Sequence, residues 1–222
     1  SLYFAPPPSY AIGDPMLARL RVVADELDAR IAMPVHETEL EVRDCIGQHG
    51  VRPLERLAKL GLLRPGFSAV HMNRLAPEDV SLAQETGISV IACPQSNLRL
   101  GSGSCAVASL LQRNITVGLG CDSPVSSGAF DVLAEARLAM QLSPTDTAGG
   151  IFAVDALSMA TLGGAVALGL GSTCGSIEAG KAADLICIDL ASPACQSFLS
   201  RPESIADAVL FGATRRDISD VW

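Results

Sequence analysis

Apolar runs that close on a polar or titratable residue, each followed by a stretch of helical spacing, set the pattern of this chain. Four of them cover 31–37, 67–71, 89–97 and 116–122, and their ends carry His36 and Glu37, His71, Ser96 and Asn97, and Asp122. A strand covered on both faces needs apolar residues at every position, so unbroken runs predict buried parallel strands. Polar groups at the carboxyl ends of such strands stand where α/β barrels and open α/β sheets place their chemistry.

The segments between the runs read as helices. Asp14-Pro15 combines a capping side chain with a proline suited to the first helical position. Leu17, Leu20, Val23 and Leu27 then form one apolar stripe. Two short helices are expected over 39–46 and 53–60, the second stopped by Gly61. Further helices are expected near 77–85, 105–113, 129–141 and 154–168, with a short strand at 2–5 and a loop over 96–103. After Gly169 the texture changes. A glycine-punctuated turn over 175–184 leads into strand-like stretches at 185–189, 207–211 and 218–222 with no helix between them. That arrangement predicts a separate small β element. The alternation across 1–168 predicts a parallel sheet with right-handed crossovers, either doubly wound or part of a barrel.

Composition narrows the function classes. A chain of 222 residues has room for one large domain, or one plus a small appendage. Only 18% of residues are charged and mean hydropathy is positive, which argues against disorder and for a buried sheet. The net charge of −8 with no basic cluster argues against nucleic acid and anionic membrane surfaces as partners. The uncharged stretch 156–177 is broken by Gly, Ser and Thr and reads as a buried helix plus loop, not a membrane span. No secretory signal opens the chain as given. The seven cysteines are odd in number and form no C-x-x-C, which predicts reduced thiols and a cytoplasmic location.

The strand ends gather His36, Glu37, His71, Asn97 and Asp122. Histidine, glutamate and aspartate on neighbouring strand tips can hold a divalent metal and move protons. Each also has a structural reading: a lone histidine as a hydrogen-bonded core group, a glutamate as a helix start. Ser96 and Asn97 read as loop-shaping groups. Asp122 closes a Gly-x-Gly-x-Asp strand, whose glycines let backbone crowd a site.

Five motifs, in order, carry a resemblance. They are His36-Glu37-Thr38, the segment from Cys93-Pro94-Gln95-Ser96-Asn97 to Gly103, Gly118-Leu119-Gly120-Cys121-Asp122-Ser123, Ala160-Thr161-Leu162-Gly163-Gly164-Ala165, and Gly175 to Leu185. The set resembles the amidohydrolase superfamily, in its methylthioadenosine/S-adenosylhomocysteine deaminase and triazine or chlorohydrolase-like branch. The resemblance implies a partial (β/α)8 TIM-type barrel, strands four to eight, over 1–170, and part of a composite β-sandwich over 171–222. It implies a zinc- or iron-dependent hydrolase or deaminase acting on C–N or C–Cl bonds of a purine, pyrimidine or triazine-like ring. Glu37 would protonate the ring nitrogen, His71 would assist proton transfer or polarise the substrate, and Asp122 would ligate the metal and take the proton of its water. The sequence also departs from the family pattern. The His-x-His pair of a first strand is absent, a metal-ligand histidine position holds Pro34, and a substrate-side histidine position holds Pro7. The expectations are therefore two: a metal-dependent enzyme of small heterocycles, or a metal-free, non-catalytic scaffold that binds a partner through open sheet edges. Those edges also predict a homo-oligomer.

Overall fold

The computed structural model describes residues 2–143, 150–199, 201 and 204–222. Five parallel strands form the main sheet: β1 (Tyr3–Phe4), β2 (Arg30–Val35), β3 (Phe67–His71), β4 (Ser89–Ala92) and β5 (Val117–Leu119). Their spatial order is their chain order, with every neighbour parallel. A doubly wound sheet reverses direction at a switch point. The absence of any reversal resolves the sequence alternatives in favour of a barrel segment.

The connecting helices are α1 (Asp14–Glu26), α2 (Glu39–His49), α3 (Pro53–Lys59), α4 (Pro77–Thr86), α5 (Pro94–Leu100) and α6 (Val107–Gln112). Ile31, Met33, Val35, Phe67, Ala69, Val90 and Ala92 are all within 2% of full burial on the helix-covered face. On the opposite face the register sets Pro34, Val70, Ile91 and Gly118 side by side. That face turns inward in a barrel, and Ala32, Pro34, Val70 and Ile91 remain partly open on it.

After β5 come α7 (Pro124–Ser127), α8 (Val132–Gln141) and one long helix, α9 (Ala153–Ser158), which passes through a π segment, Met159–Gly163, into α10 (Gly164–Ala167). This helix lies against the inward face. Ser68 Oγ donates to the Ala167 carbonyl at 3.1 Å, and a Cβ on Gly118 would meet Gly164 Cα at 2.9 Å. The last elements are β6 (Ile186–Ile188), α11 (Pro193–Gln196), α12 (Ile205–Asp207) continuing as a π turn over Ala208–Gly212, and β7 (Ile218–Val221). β6 and β7 pair antiparallel, within the region expected to form a separate β element.

Two expectations are corrected. The segment 96–103 is not all loop, because α5 starts at Pro94 and ends at Gly101, whose φ of 69° suits glycine. The stretch 207–211 is helical, not a strand. Ala208 and Leu210 are fully buried, and a short apolar run satisfies a buried helix as well as a strand. Among the described residues no helix is long and apolar enough to cross a membrane.

Candidate active site

Three strand tips bring Glu37, His71 and Asp122 to the carboxyl edge of the sheet. The backbone there is unusual: His36, His71 and Asp122 have φ of 55°, 76° and 54°. Left-handed backbone at non-glycine residues is disfavoured and persists where surrounding contacts impose it. At His71 it has a visible result. Strict alternation would aim this side chain with Phe67 and Ala69 toward the helices. The imidazole instead meets Asn97 and Glu37 at the strand tips.

His71 is 3% exposed. Its Nδ1–H donates to Asn97 Oδ1 at 2.8 Å, and Asn97 Nδ2 donates to Asn73 Oδ1 at 2.8 Å. Asn73 Nδ2 in turn donates to the Glu37 carbonyl at 3.1 Å. This chain of amides fixes the ring tautomer and leaves Nε2 as the basic nitrogen. Nε2 faces Glu37 Oε2 at 3.8 Å, and Ser102 Oγ donates to Glu37 Oε1 at 3.5 Å. Asp122, open to solvent, accepts from Ser96 Oγ at 2.5 Å and from Ser126 Oγ at 3.1 Å. Consecutive residues of α5 thus hold two site groups: Ser96 holds the aspartate and Asn97 the histidine. Ser96 and Asn97 shape more than a loop.

His36 does not join them. It is fully buried, with Nε2 3.2 Å from the Leu54 backbone nitrogen and 3.3 Å from Asp79 Oδ1. Burial alone would raise the Asp79 carboxyl. Hydrogen bonds from His36 and Arg52 outweigh it and hold the group at about 2. This pair ties β2 to α3 and α4, behind the site.

Two further carboxylates escaped the sequence reading. Glu41 is 3% exposed and accepts from Ser9 Oγ at 3.2 Å, His36 N at 3.2 Å and Glu37 N at 2.7 Å. It pins the turn that presents Glu37. The Thr38-x-x-Glu41 capping-box spacing was the available signal: the Thr38 hydroxyl accepts from Glu41 N. Glu135, in the first turn of α8, is fully buried and accepts from Gln95 N at 2.9 Å, while its other oxygen has no partner. Burial raises its pKa, and the nearby Asp122 and Asp131 charges add to this, against the Gln95 hydrogen bond. It braces the start of α5 and so, indirectly, Ser96 and Asn97.

All seven cysteines are free, and burial pushes the Cys105 thiol up to about 12. Cys105, buried, is a packing group and not a nucleophile.

A parallel barrel segment with an acid, an imidazole and a second carboxylate at its strand tips defines the class: an α/β-barrel protein with its candidate site at the carboxyl edge of the sheet. The chain belongs to the amidohydrolase family, whose model matches residues 2–222. It is 43% identical over 193 residues to a 5-methylthioadenosine/S-adenosylhomocysteine deaminase of Teredinibacter turnerae, covering 86% of this chain and 43% of that protein. It is 33% identical to a 5'-deoxyadenosine deaminase of Methanobrevibacter smithii over 190 residues, covering 85% of this chain and 44% of that one. An adenosine deaminase of Xanthomonas campestris with bound zinc superposes with a TM-score of 0.91 at 38% identity, covering 100% of this chain and 50% of that one. An atrazine chlorohydrolase of Arthrobacter aurescens shares the fold, with a TM-score of 0.88 at 22% identity, covering 98% and 48%. The chain spans about half the length of these relatives.

The zinc of the solved relatives finds no matching donor set here. Among the described residues no three His, Cys, Asp or Glu side chains converge on one point. Position 34, on the inward face, is proline and brings no donor. His71 Nε2 and the Asp122 carboxylate are the available donors, and two residues are too few for a zinc site.

Proposed function

We propose that this chain carries the proton-transfer part of a hydrolytic deaminase acting on the ring amino group of a purine nucleoside-type substrate. The observation that carries the proposal is the linked set Glu37–His71–Asn97–Ser96–Asp122 at the ends of four successive strands, β2 to β5. Identity above 30% to deaminases of adenosine derivatives supports the substrate class.

Hydrolytic deamination adds water to the carbon bearing the amino group and expels ammonia. A proton must leave the water, one must reach the ring nitrogen, and one must reach the departing nitrogen. Asp122, the solvent-open carboxylate, takes the proton from water and passes it to the amino nitrogen as ammonia leaves. Glu37, beside the basic nitrogen of His71, delivers a proton to the ring nitrogen. His71, its tautomer held by Asn97, accepts a hydrogen bond from the attacking water at Nε2 and so assists the proton transfer. The donors among the described residues do not by themselves make up a zinc site, so no step is routed through a metal here.

The division into a barrel portion, 1–170, and a sandwich portion, 171–222, belongs to the same proposal and is supported by the separate β6–β7 pair. A second reading is favoured by Pro34 on the inward face: a protein that binds the nucleoside and does not turn it over. Ultraviolet absorbance of 5'-deoxyadenosine incubated with the purified chain, with zinc or iron supplied, separates the two. Turnover that Glu37→Gln abolishes supports the deaminase. Calorimetric binding without turnover supports the binder. Neither binding nor turnover overturns both.

A further inference from the structure

At the end of the sheet opposite the candidate site, a cavity of about 330 Å³ lies between the amino ends of β2 and β3 and Gly169, just past α10. Arg30 and Arg64 line it, together with Asp28 and Gly66. Arg30 opens β2. Ile31, Met33 and Val35 are buried beneath the helices, so alternation puts Arg30 with Ala32 and Pro34 on the inward face. A cation on that face is costly unless something pairs with it.

The fold makes room for this side chain and leaves it unpaired. A Cβ on Gly169, at φ 67°, would overlap the guanidinium, and one on Gly66, at φ 102°, would stand 3.6 Å from its stem. Among the described residues no carboxylate lies within ion-pair distance of Arg30, and no carbonyl accepts from its five N–H donors. Its polar neighbour is the Tyr3 hydroxyl. Burial raises the pKa of that group and the Arg30 charge opposes the rise, yet the buried oxygen has no hydrogen-bond partner. Arg64 is partly spent: it pairs with Asp25 and reaches the Ala29 carbonyl at 3.5 Å. Asp25 also holds Arg21, at 3.2 Å. Asp28 is exposed and is the only carboxylate on the lining. Two guanidiniums against one exposed carboxylate leave the lining positive, in a chain whose net charge is −8.

The geometry points to an oxyanion site: Arg30, with Arg64 at the rim, receives a phosphate group, as the free ion or as a small monoester. A guanidinium fork matches phosphate oxygens through paired N–H···O bonds. Phosphate has oxygens enough to bridge two guanidiniums, whereas a carboxylate is satisfied by one fork. Arg30 stands seven residues before Glu37, on the order of 20 Å along an extended strand. The occupant therefore binds alongside a ligand at the strand tips and does not displace it. The site stands independently of the nucleoside reading.

Calorimetric titration of the whole chain with inorganic phosphate, glycerol 3-phosphate and acetate tests it. Phosphate should saturate one site, acetate should bind more weakly, and sodium chloride should weaken both. Tighter binding of glycerol 3-phosphate than of phosphate identifies a monoester as the occupant; equal or weaker binding identifies the free ion. Arg30→Gln should weaken phosphate binding by roughly ten-fold, the scale of a charged hydrogen bond. Arg64→Gln should weaken it by roughly two- to five-fold, since that side chain is already engaged. Asp28→Asn should strengthen it by roughly two-fold, and asparagine tolerates the φ of 46° there. Arg113→Gln, at an exposed arginine after α6, is the control and should change nothing. The Arg30 Nε–Hε resonance of the unaltered protein needs no variant and should shift along the same saturation curve. Phosphate binding that does not saturate, acetate bound as tightly as phosphate, an Arg30 resonance that stays in place, or an Arg113→Gln loss equal to that of Arg30→Gln would overturn the site.

Discussion

Replacing Glu41 by alanine probes how Glu37 is presented. The carboxylate is almost fully buried and serves one hydroxyl and two backbone N–H groups, at 3.2, 3.2 and 2.7 Å. Alanine leaves all three donors without that acceptor. A buried polar group stripped of its partner costs about 1–3 kcal/mol, and more when the lost partner was charged. Glu37 N lies on a half-buried residue that water can reach, so its share is at the low end. The expected loss is about 3 kcal/mol for the whole protein, by that arithmetic. Glu41→Gln keeps one acceptor oxygen but turns an NH₂ toward a donor, and should cost about 2 kcal/mol on the same scale. Urea unfolding followed by circular dichroism measures both. With slopes of about 1–3 kcal/mol per molar, the alanine variant should shift its midpoint downward by about 1 M or more at unchanged slope. Glu39→Ala, on the exposed start of α2, is the control and should stay within about 0.5 kcal/mol of the parent. A Glu41→Ala midpoint equal to the control's would refute the role given to this carboxylate.

Other outcomes follow from the same contacts. Asp79 titrates at about 2 in the folded chain against 3.8 unperturbed, so its contribution is fully present above pH 3.8 and is lost as pH falls toward 2. The depression is worth about 2 kcal/mol by linkage, and Asp79→Asn should flatten the acid limb of a stability–pH curve by that amount. An unchanged limb would show that His36 and Arg52 do not stabilise the charge. Gly118→Ala would drive a Cβ against backbone at Gly164, which cannot move aside as a flexible side chain can. Overpacking of this kind costs about 1–3 kcal/mol, and a melting temperature equal to the parent's would show that α10 does not press on the inward face. Asn97→Leu removes the acceptor of His71 Nδ1. Long-range nitrogen spectra of the ring should then show a shifted tautomer balance, whereas an unaltered spectrum would remove Asn97 from the account.

Much of the architecture was legible because the signals were local. Unbroken apolar runs located β2, β3, β4 and β5, and a proline in the first turn marked α1, α3 and α4. What sequence could not settle was pairing order. Barrel and doubly wound sheets share the same alternation, and only the register of neighbouring strands separates them. The 207–211 run failed for a related reason: five consecutive residues are too short to display a period. At the site, Glu37, His71 and Asp122 stood out because they end apolar runs. Asn97 and Ser96 did not, since their roles depend on a helix beginning at Pro94. Glu41 and Glu135 are helix residues by position, and only their burial reveals what they hold. Conversely, His36 ends a strand like the others, yet its side chain lies behind the sheet.

The chain has three histidines, at 36, 49 and 71, so its imidazole spectrum is simple. The most direct test follows those resonances as 5'-deoxyadenosine is added to the purified chain at fixed neutral pH. The account predicts a saturable shift at His71, which lines the proposed site, and none at His36, enclosed between Leu54 and Asp79. A His71 signal that stays in place at saturating nucleoside, or a response confined to His36, would contradict it.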